Sequence, residues 1–326
     1  MVFLYFAFKN VDVKDVFNYI SNASPLWIVI FVVVNLFAHF VRAVRWKVIL
    51  HSVKADTSIK NLFGAIMVGY GVNCVVPRLG EVSRAVILGK WENLSRSSML
   101  GAVIVERVID IIFLALAVVA SAILWSENLY DKFPWLKATV YLSFVLMAFV
   151  IVFFYMMIKF REKFYGVIIN LIGKISGNIA HKAAHIFEML TRGFGSLKGK
   201  KNYLFTIVLS VAIMLLYALN SYVGFYSIGL ENIKPVSFEM GWIVMSISAI
   251  GVVIPTPGGT GSYHVLATSA LVVLFGFNHD ISLAYAVLTH GVSYLLFIFS
   301  SLLVYFVIDK QHDNFFKVAE NELDEI

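Results

Sequence analysis

The residues able to do chemistry in this chain are few, and most stand among apolar neighbours. Asn73, Arg78, Glu81 and Arg84 follow one another across a break in one apolar stretch, and Glu106, Arg107 and Asp110 lie in the next. Pro257, Gly258, Gly259, Thr260 and Gly261 interrupt another, with Tyr263 and His264 just beyond and His290 in the stretch after it. An ionised side chain at the centre of a membrane helix costs on the order of 2.5 to 3.5 kcal/mol. Such residues need a partner or a purpose.

Each group admits two readings. Glu81 and Arg84 are three apart and can pair on one helical face to fix a turn, or Arg78 and Arg84 can meet an anionic headgroup. Glu106 and Asp110 share a face, with Arg107 in reach of Asp110, which suits either the capping of a helix interface or a transport role. The glycines after Pro257 can turn backbone amides toward an anion, or merely form a tight elbow with close helix packing. His264 and His290 suit a hydrogen-bonded or proton-linked role better than metal binding, because no carboxylate ligand stands near them. No metal site, cofactor or catalytic residue is predicted. Asn35, His39 and Arg42 share one face of an earlier stretch by i, i+4, i+7 spacing: Asn35 and His39 should face the bundle and Arg42 should snorkel toward the interface.

The elements that position these residues follow from composition. Of 326 residues, 60% are hydrophobic and 14% charged, against roughly a quarter charged in a soluble domain, so a water-soluble fold is excluded. Apolar stretches of about 20 residues match a helix crossing a hydrocarbon core of about 30 Å, and the alternation of a barrel is missing. The net charge of +6 lies beside the apolar spans, which is positive-inside topology rather than a nucleic-acid surface. One cysteine, Cys74, excludes an internal disulfide and reads as packing. Met1 to Phe8 is too short to span and shows no cleavable signal, so it reads as the tail of a first helix or a short interfacial segment.

Spans are expected at about 25–48, 99–124, 137–158, 203–228 and 281–307. Between them, 58–97 and 236–277 are apolar but broken at Asn73 to Glu81 and at Pro255 to Gly261. Proline and glycine cannot continue regular helix there, and irregular backbone at membrane depth must be buried in protein or line a wet cavity. Each broken stretch therefore reads as a re-entrant hairpin. Basic clusters at 42–60 and 159–201 are placed in the cytoplasm. Threading the chain through them yields span, hairpin, span twice over, in opposite orientation. The fold class predicted is all-α: a polytopic helix bundle with two re-entrant hairpins in an inverted-topology repeat. The chain reads as one domain, with halves at about 25–124 and 203–308, a connecting span and basic loop at 125–202, and an acidic cytoplasmic tail at 309–326. Residues 164–197 read as interfacial amphipathic helix on anionic lipid, or as a protein-docking surface.

Arg45-Trp46, Asn73 with Pro77-Arg78-Leu79-Gly80-Glu81 and Arg84, Glu106-Arg107 with Asp110, and the Pro257 to Gly261 elbow together resemble the lysylphosphatidylglycerol synthase transmembrane-region family, the flippase-like domain of YbhN-type membrane proteins. The resemblance runs from about 25 to 308. It implies a lipid translocator with paired re-entrant hairpins, acting in its best-known members on amino-acylated phosphatidylglycerol. His264 and His290 depart from the family's frequent Glu and Arg, which suggests a different headgroup. A soluble aminoacyl-transfer domain does not follow the last span, so the resemblance does not support lipid synthesis.

The leading expectation is a flippase or lipid transporter of the inner (plasma) membrane, moving an anionic or amino-acylated phospholipid or a polyprenyl-linked lipid. Its substrate-binding residues are expected among Asn73, Arg78, Glu81, Arg84, Glu106, Arg107, Asp110, Pro257, Gly258, Gly259, Gly261, His264 and His290. The alternatives are an intramembrane enzyme using Glu81, Glu106 or His264 as acid or base, and a non-catalytic partner of a lipid-modifying enzyme. Membrane lipid is the expected partner, nucleic acid is not, and a protein partner would be a second copy or such an enzyme.

Overall fold

The structure is a computed structural model describing residues 2–8, 11–51, 53–125 and 199–308, with isolated positions between 138 and 156. The regular structure among these residues is helical, and no strand occurs among them. Apart from those isolated helical positions, the expected span at 137–158 lies outside the described residues. So do the loop at 164–197 and the tail at 309–326.

Two short helices, α1 (Val2–Phe8) and α2 (Val13–Ser21), precede α3 (Pro25–Leu50). The chain continues through α4 (Ile59–Val75), α5 (Leu79–Glu92) and α6 (Arg96–Leu124), then α7 (Lys200–Ile228), α8 (Phe238–Val253), α9 (Ser262–Val273) and α10 (His279–Ile308). Local chemistry explains the boundaries. Ser58, Ser95 and Ser237 accept the amides of Asn61, Ser98 and Met240 as N-caps of α4, α6 and α8. Pro25 opens α3, where its missing amide costs nothing. Gly229 ends α7 at φ 79°, a left-handed cap that glycine adopts freely.

The apolar stretches expected at 58–97 and 236–277 are each two helices folded back on one another. α4 packs on α5 and α8 on α9. Glycine permits both closures. A Cβ on Gly80 would lie 1.9 Å from the Gly69 carbonyl oxygen, and one on Gly251 would lie 2.7 Å from that of Ser262.

The same packing plan occurs twice. In the first half α3 touches α4, α4 touches α5 and α5 touches α6; in the second, α7, α8, α9 and α10 repeat those contacts in order. Contacts between the halves also come in matched pairs: α4 on α10 corresponds to α8 on α6, and α3 lies along α7. Each half has its own apolar core, around Trp46, Leu62, Leu88 and Met99 in one and around Phe225, Ile247, Leu271 and Tyr285 in the other. Ala117, Ala218 and Met245 join them.

α3, α7 and α10 are each long and apolar enough to cross a membrane. Their outer faces carry exposed large apolar side chains at helical spacing, such as Val29, Val33 and Phe37 on α3 and Leu295, Phe299, Leu302 and Phe306 on α10. Water would penalise so continuous an apolar surface, whereas lipid matches it. The protein is an all-α membrane protein.

Candidate functional site

Glu106 on α6 is fully buried and lies among three guanidinium groups. Arg42 Nε approaches its Oε1 at 2.7 Å, Arg45 Nη2 the same oxygen at 3.2 Å, and Arg84 Nη1 its Oε2 at 2.7 Å. One turn on, Asp110 also takes Arg42 and Arg45, and Arg107 reaches it at 3.5 Å. Arg107 in turn binds Glu81 at 2.9 Å. Polar groups of α4 and α7 complete the shell: Arg42 Nη1 donates to the hydroxyls of Tyr70 and Tyr217, and Arg45 Nη1 to Ser210 Oγ at 3.0 Å. Burying charge is tolerable when each member is paired and hydrogen-bonded. Five helices meet at this cluster.

One expectation is corrected here, and one of two open readings drops out. Arg84 does not serve as the i, i+3 partner of Glu81; it crosses to Glu106, while Glu81 takes Arg107 and the Asn73 amide at 3.2 Å. Within α5 the pair would sit at the edge, whereas the cross-helix carboxylate is fully buried and gains more from the charge. Nor does Arg42 snorkel to an interface: its side chain is buried, because two acids await it on α6. Arg107 does reach Asp110 as its spacing predicts. Asn35 and His39 face the bundle, Asn35 donating to Ser293 and His39 packing against Tyr70 and Phe297. Arg45, Tyr70, Tyr217 and Ser210 were missed as members. The available signal was a pair of arginines three apart in an apolar helix, matching a pair of acids four apart in another.

The second group forms around the elbows. Pro77 ends α4, and Arg78 turns the chain at φ 65° before α5. Asn73 Oδ1 closes this turn by accepting the Gly80 amide at 2.8 Å. The other elbow is a short 3-10 turn, Pro257–Gly259, with Gly258, Gly259 and Gly261 at φ of 57°, 79° and 90°. The two elbows touch. Arg78 Nη2 donates to the Val253 carbonyl at 2.8 Å, a Cβ on Gly258 would come within 3.6 Å of Cys74 Cα, and the Tyr294 hydroxyl donates to the Cys74 carbonyl.

His264 and His290 both turn inward, their rings 4.7 Å apart. His290 Nε2 donates to the Gly258 carbonyl at 2.9 Å, and His264 Nδ1 accepts the Gly261 amide at 3.3 Å. That last bond, with Gly259 donating to Thr256 and Thr260 to Pro257, fits the tight elbow, one of the two readings the glycine run admits. The amides of Gly259, Thr260 and Gly261 are satisfied within the elbow itself. Among the described residues no group of three His, Cys, Asp or Glu side chains is placed to hold a metal.

The structure thus gathers Asn73, Glu81, Arg84, Glu106, Arg107 and Asp110 into one cluster, and Pro257, Gly258, Gly259, Gly261, His264 and His290 into a second. Arg78 bridges the elbows. At the base of the first hairpin, Glu92 takes Lys54 at 2.7 Å, the Asn61 amide and the Ser58 backbone. The bond to Glu92 raises the Lys54 pKa and pins the α3–α4 loop to the end of α5.

A family described as "Lysylphosphatidylglycerol synthase TM region" matches residues 1–300. The chain is 24% identical over 298 residues to a UPF0104 membrane protein of Methanothermobacter thermautotrophicus, covering 84% of this chain and 83% of that one. It is also 24% identical over 103 residues to the UPF0104 membrane protein MJ1595 of Methanocaldococcus jannaschii, 31% of each chain. With the paired broken helices and the buried cluster in place, and with that match running through both halves, the chain belongs to the lysylphosphatidylglycerol synthase TM-region family.

Proposed function

We propose that this protein moves a lipid with an anionic headgroup between the leaflets of the cell membrane. The observation that carries this reading is the contact between two interrupted hairpins, made by Arg78 on the Val253 carbonyl and Gly258 on Cys74. Interrupted helices meeting between repeated halves are how many transporters build a site near the bilayer midplane. The paired contacts of the two halves support an inverted-topology repeat, in which both hairpins return to the side they entered. The polar elbow groups then lie on a path that lipid tails would skirt and a headgroup would follow. The basic segments at 42–60 and 159–201 favour a cytoplasmic placement. The family's description, which concerns a phospholipid enzyme's membrane region, agrees with a lipid role.

The test is reconstitution into vesicles carrying fluorescent phosphatidylglycerol, with an impermeant quencher reporting the outer leaflet. Protein-dependent loss of the protected pool is expected. Equal protection in vesicles with and without folded protein would remove the carrier reading. Mass spectrometry of lipid co-purified with the protein separates carriage from chemistry, since an intramembrane enzyme would yield an altered species.

A further inference from the structure

Among the charged groups linked through Glu106 and Asp110, four arginines (Arg42, Arg45, Arg84, Arg107) face three carboxylates (Glu81, Glu106, Asp110), one positive charge in excess. Arg84 has the fewest acidic partners of the four. Arg42 and Arg45 each bind both Glu106 and Asp110, and Arg107 binds Glu81 and Asp110. Arg84 presents only Nη1 to Glu106; its Nε and Nη2, both buried, have no hydrogen-bond partner in the protein. Its guanidinium carbon sits 4.9 Å above the Trp46 ring, which steadies the cation without using a donor. An unpaired buried donor is costly, on the order of 1–3 kcal/mol, and more beside a charge.

Arg84 borders a narrow cleft between α4, α5 and α6 that has room for about one water. Asn73 and Arg107 form its polar side, and Gly69 and Gly80 leave it room. A Cβ on Gly69 would press within 3.2 Å of Arg84 Cβ. Arg107 also has a buried Nε without a partner, while its side chain is 36% exposed, so it stands at the rim with Glu81 as its counter-ion.

We infer that this cleft binds a phosphate-type oxyanion, with the Nε and Nη2 edge of Arg84 as its floor and Arg107 and Asn73 at its mouth. The Nε and Nη2 donors of one guanidinium are coplanar and match two oxygens of one anion. A carboxylate would be used up by Arg84 alone. A tetrahedral phosphate keeps further oxygens for Arg107 and for the Asn73 amide, and its charge balances the cluster. Closed, the cleft is too narrow for a phosphate, so entry requires the partly exposed Arg107 to Glu81 pair to part and the cleft to widen. The identity of the phosphate as part of a lipid rests on the carrier reading above; its recognition by Arg84 does not. The site is separate from Arg78, whose guanidinium is engaged at the other elbow.

The experiment titrates full-length protein in neutral detergent with inorganic phosphate, with short-chain phosphatidylglycerol, and with short-chain diacylglycerol as the uncharged control, following the thermal midpoint. Arg84→Lys keeps one cation for Glu106 but loses the two-donor edge, and should weaken phosphate binding at least about tenfold. Arg107→Gln, at the exposed rim, should weaken it severalfold and is read if the first variant does not fold. Stabilisation by phosphatidylglycerol alone supports the site with a lipid source, and stabilisation by both anions supports it with either source. No stabilisation of the wild type, or wild-type phosphate affinity in the variants that fold, overturns it. Binding that persists without translocation in vesicles would sink the carrier reading and leave the site standing.

Discussion

The two hairpins share a backbone plan and differ in what they bury. α4–α5 carries Glu81 and Arg84 on its inner side and ties them into the cluster of α3 and α6. α8–α9 has a single charged residue, the exposed Glu239, and buries Ser262, His264 and Thr268. One hairpin is thus held by ion pairs to its neighbours, the other mainly by hydrogen bonds of neutral groups, within itself and to α6 and α10. The contrast teaches that a common glycine-closed scaffold can be held by buried charge in one half and by neutral polar groups in the other.

The largest expected effect breaks the charged side. Glu106→Gln leaves three arginines facing one fewer carboxylate, and thermal unfolding in detergent should show a loss of about 3–5 kcal/mol. A loss no greater than that of His264→Gln would erase the difference between the halves. Next come the glycine closures. Gly80→Ala must part backbones whose Cβ-to-oxygen gap is 1.9 Å, against 2.7 Å for Gly251→Ala. We expect about 3 kcal/mol lost for the first and about half that for the second, so the reverse order in chemical denaturation would mean the second hairpin is the more tightly closed.

Smaller changes sharpen the neutral side. His290→Phe removes the bond to the Gly258 carbonyl, and about 1 kcal/mol should be lost; a larger loss would assign the two histidines a structural role like that of the arginines. Arg78→Lys is smallest for stability, within about 0.5 kcal/mol for an exposed side chain. In vesicles it should nonetheless slow translocation of fluorescent phosphatidylglycerol, because the latch to Val253 needs the reach of a guanidinium. Unchanged transport in this variant would confine Arg78 to the turn.

Much of this arrangement was legible in the residues themselves. Pro77 and Pro257 mark both interruptions, since neither can continue a helix, and the long apolar runs bound α3, α6, α7 and α10 closely. Side-chain partnership was harder to read. Glu81 and Arg84 are ideal neighbours along one helix, but a buried carboxylate on the adjacent helix α6 wins over a partly exposed one on the same helix, and spacing within a helix does not report that competition. The elbow glycines left two readings open for a related reason. A turn that opens amides toward an anion and one that closes them on Thr256, Pro257 and His264 have the same composition.

Arg42 and Arg45 bear on how the protein is made as well as on how it works. Both lie in α3, which is synthesised before α6, and their acidic partners on α6 follow some sixty residues later. Alone in hydrocarbon, two arginines would cost α3 about 5–7 kcal/mol on the lenient scale. α3 therefore lacks partners for both charges until the fourth element of its own half has been synthesised, so its settling in the membrane is tied to that of α6.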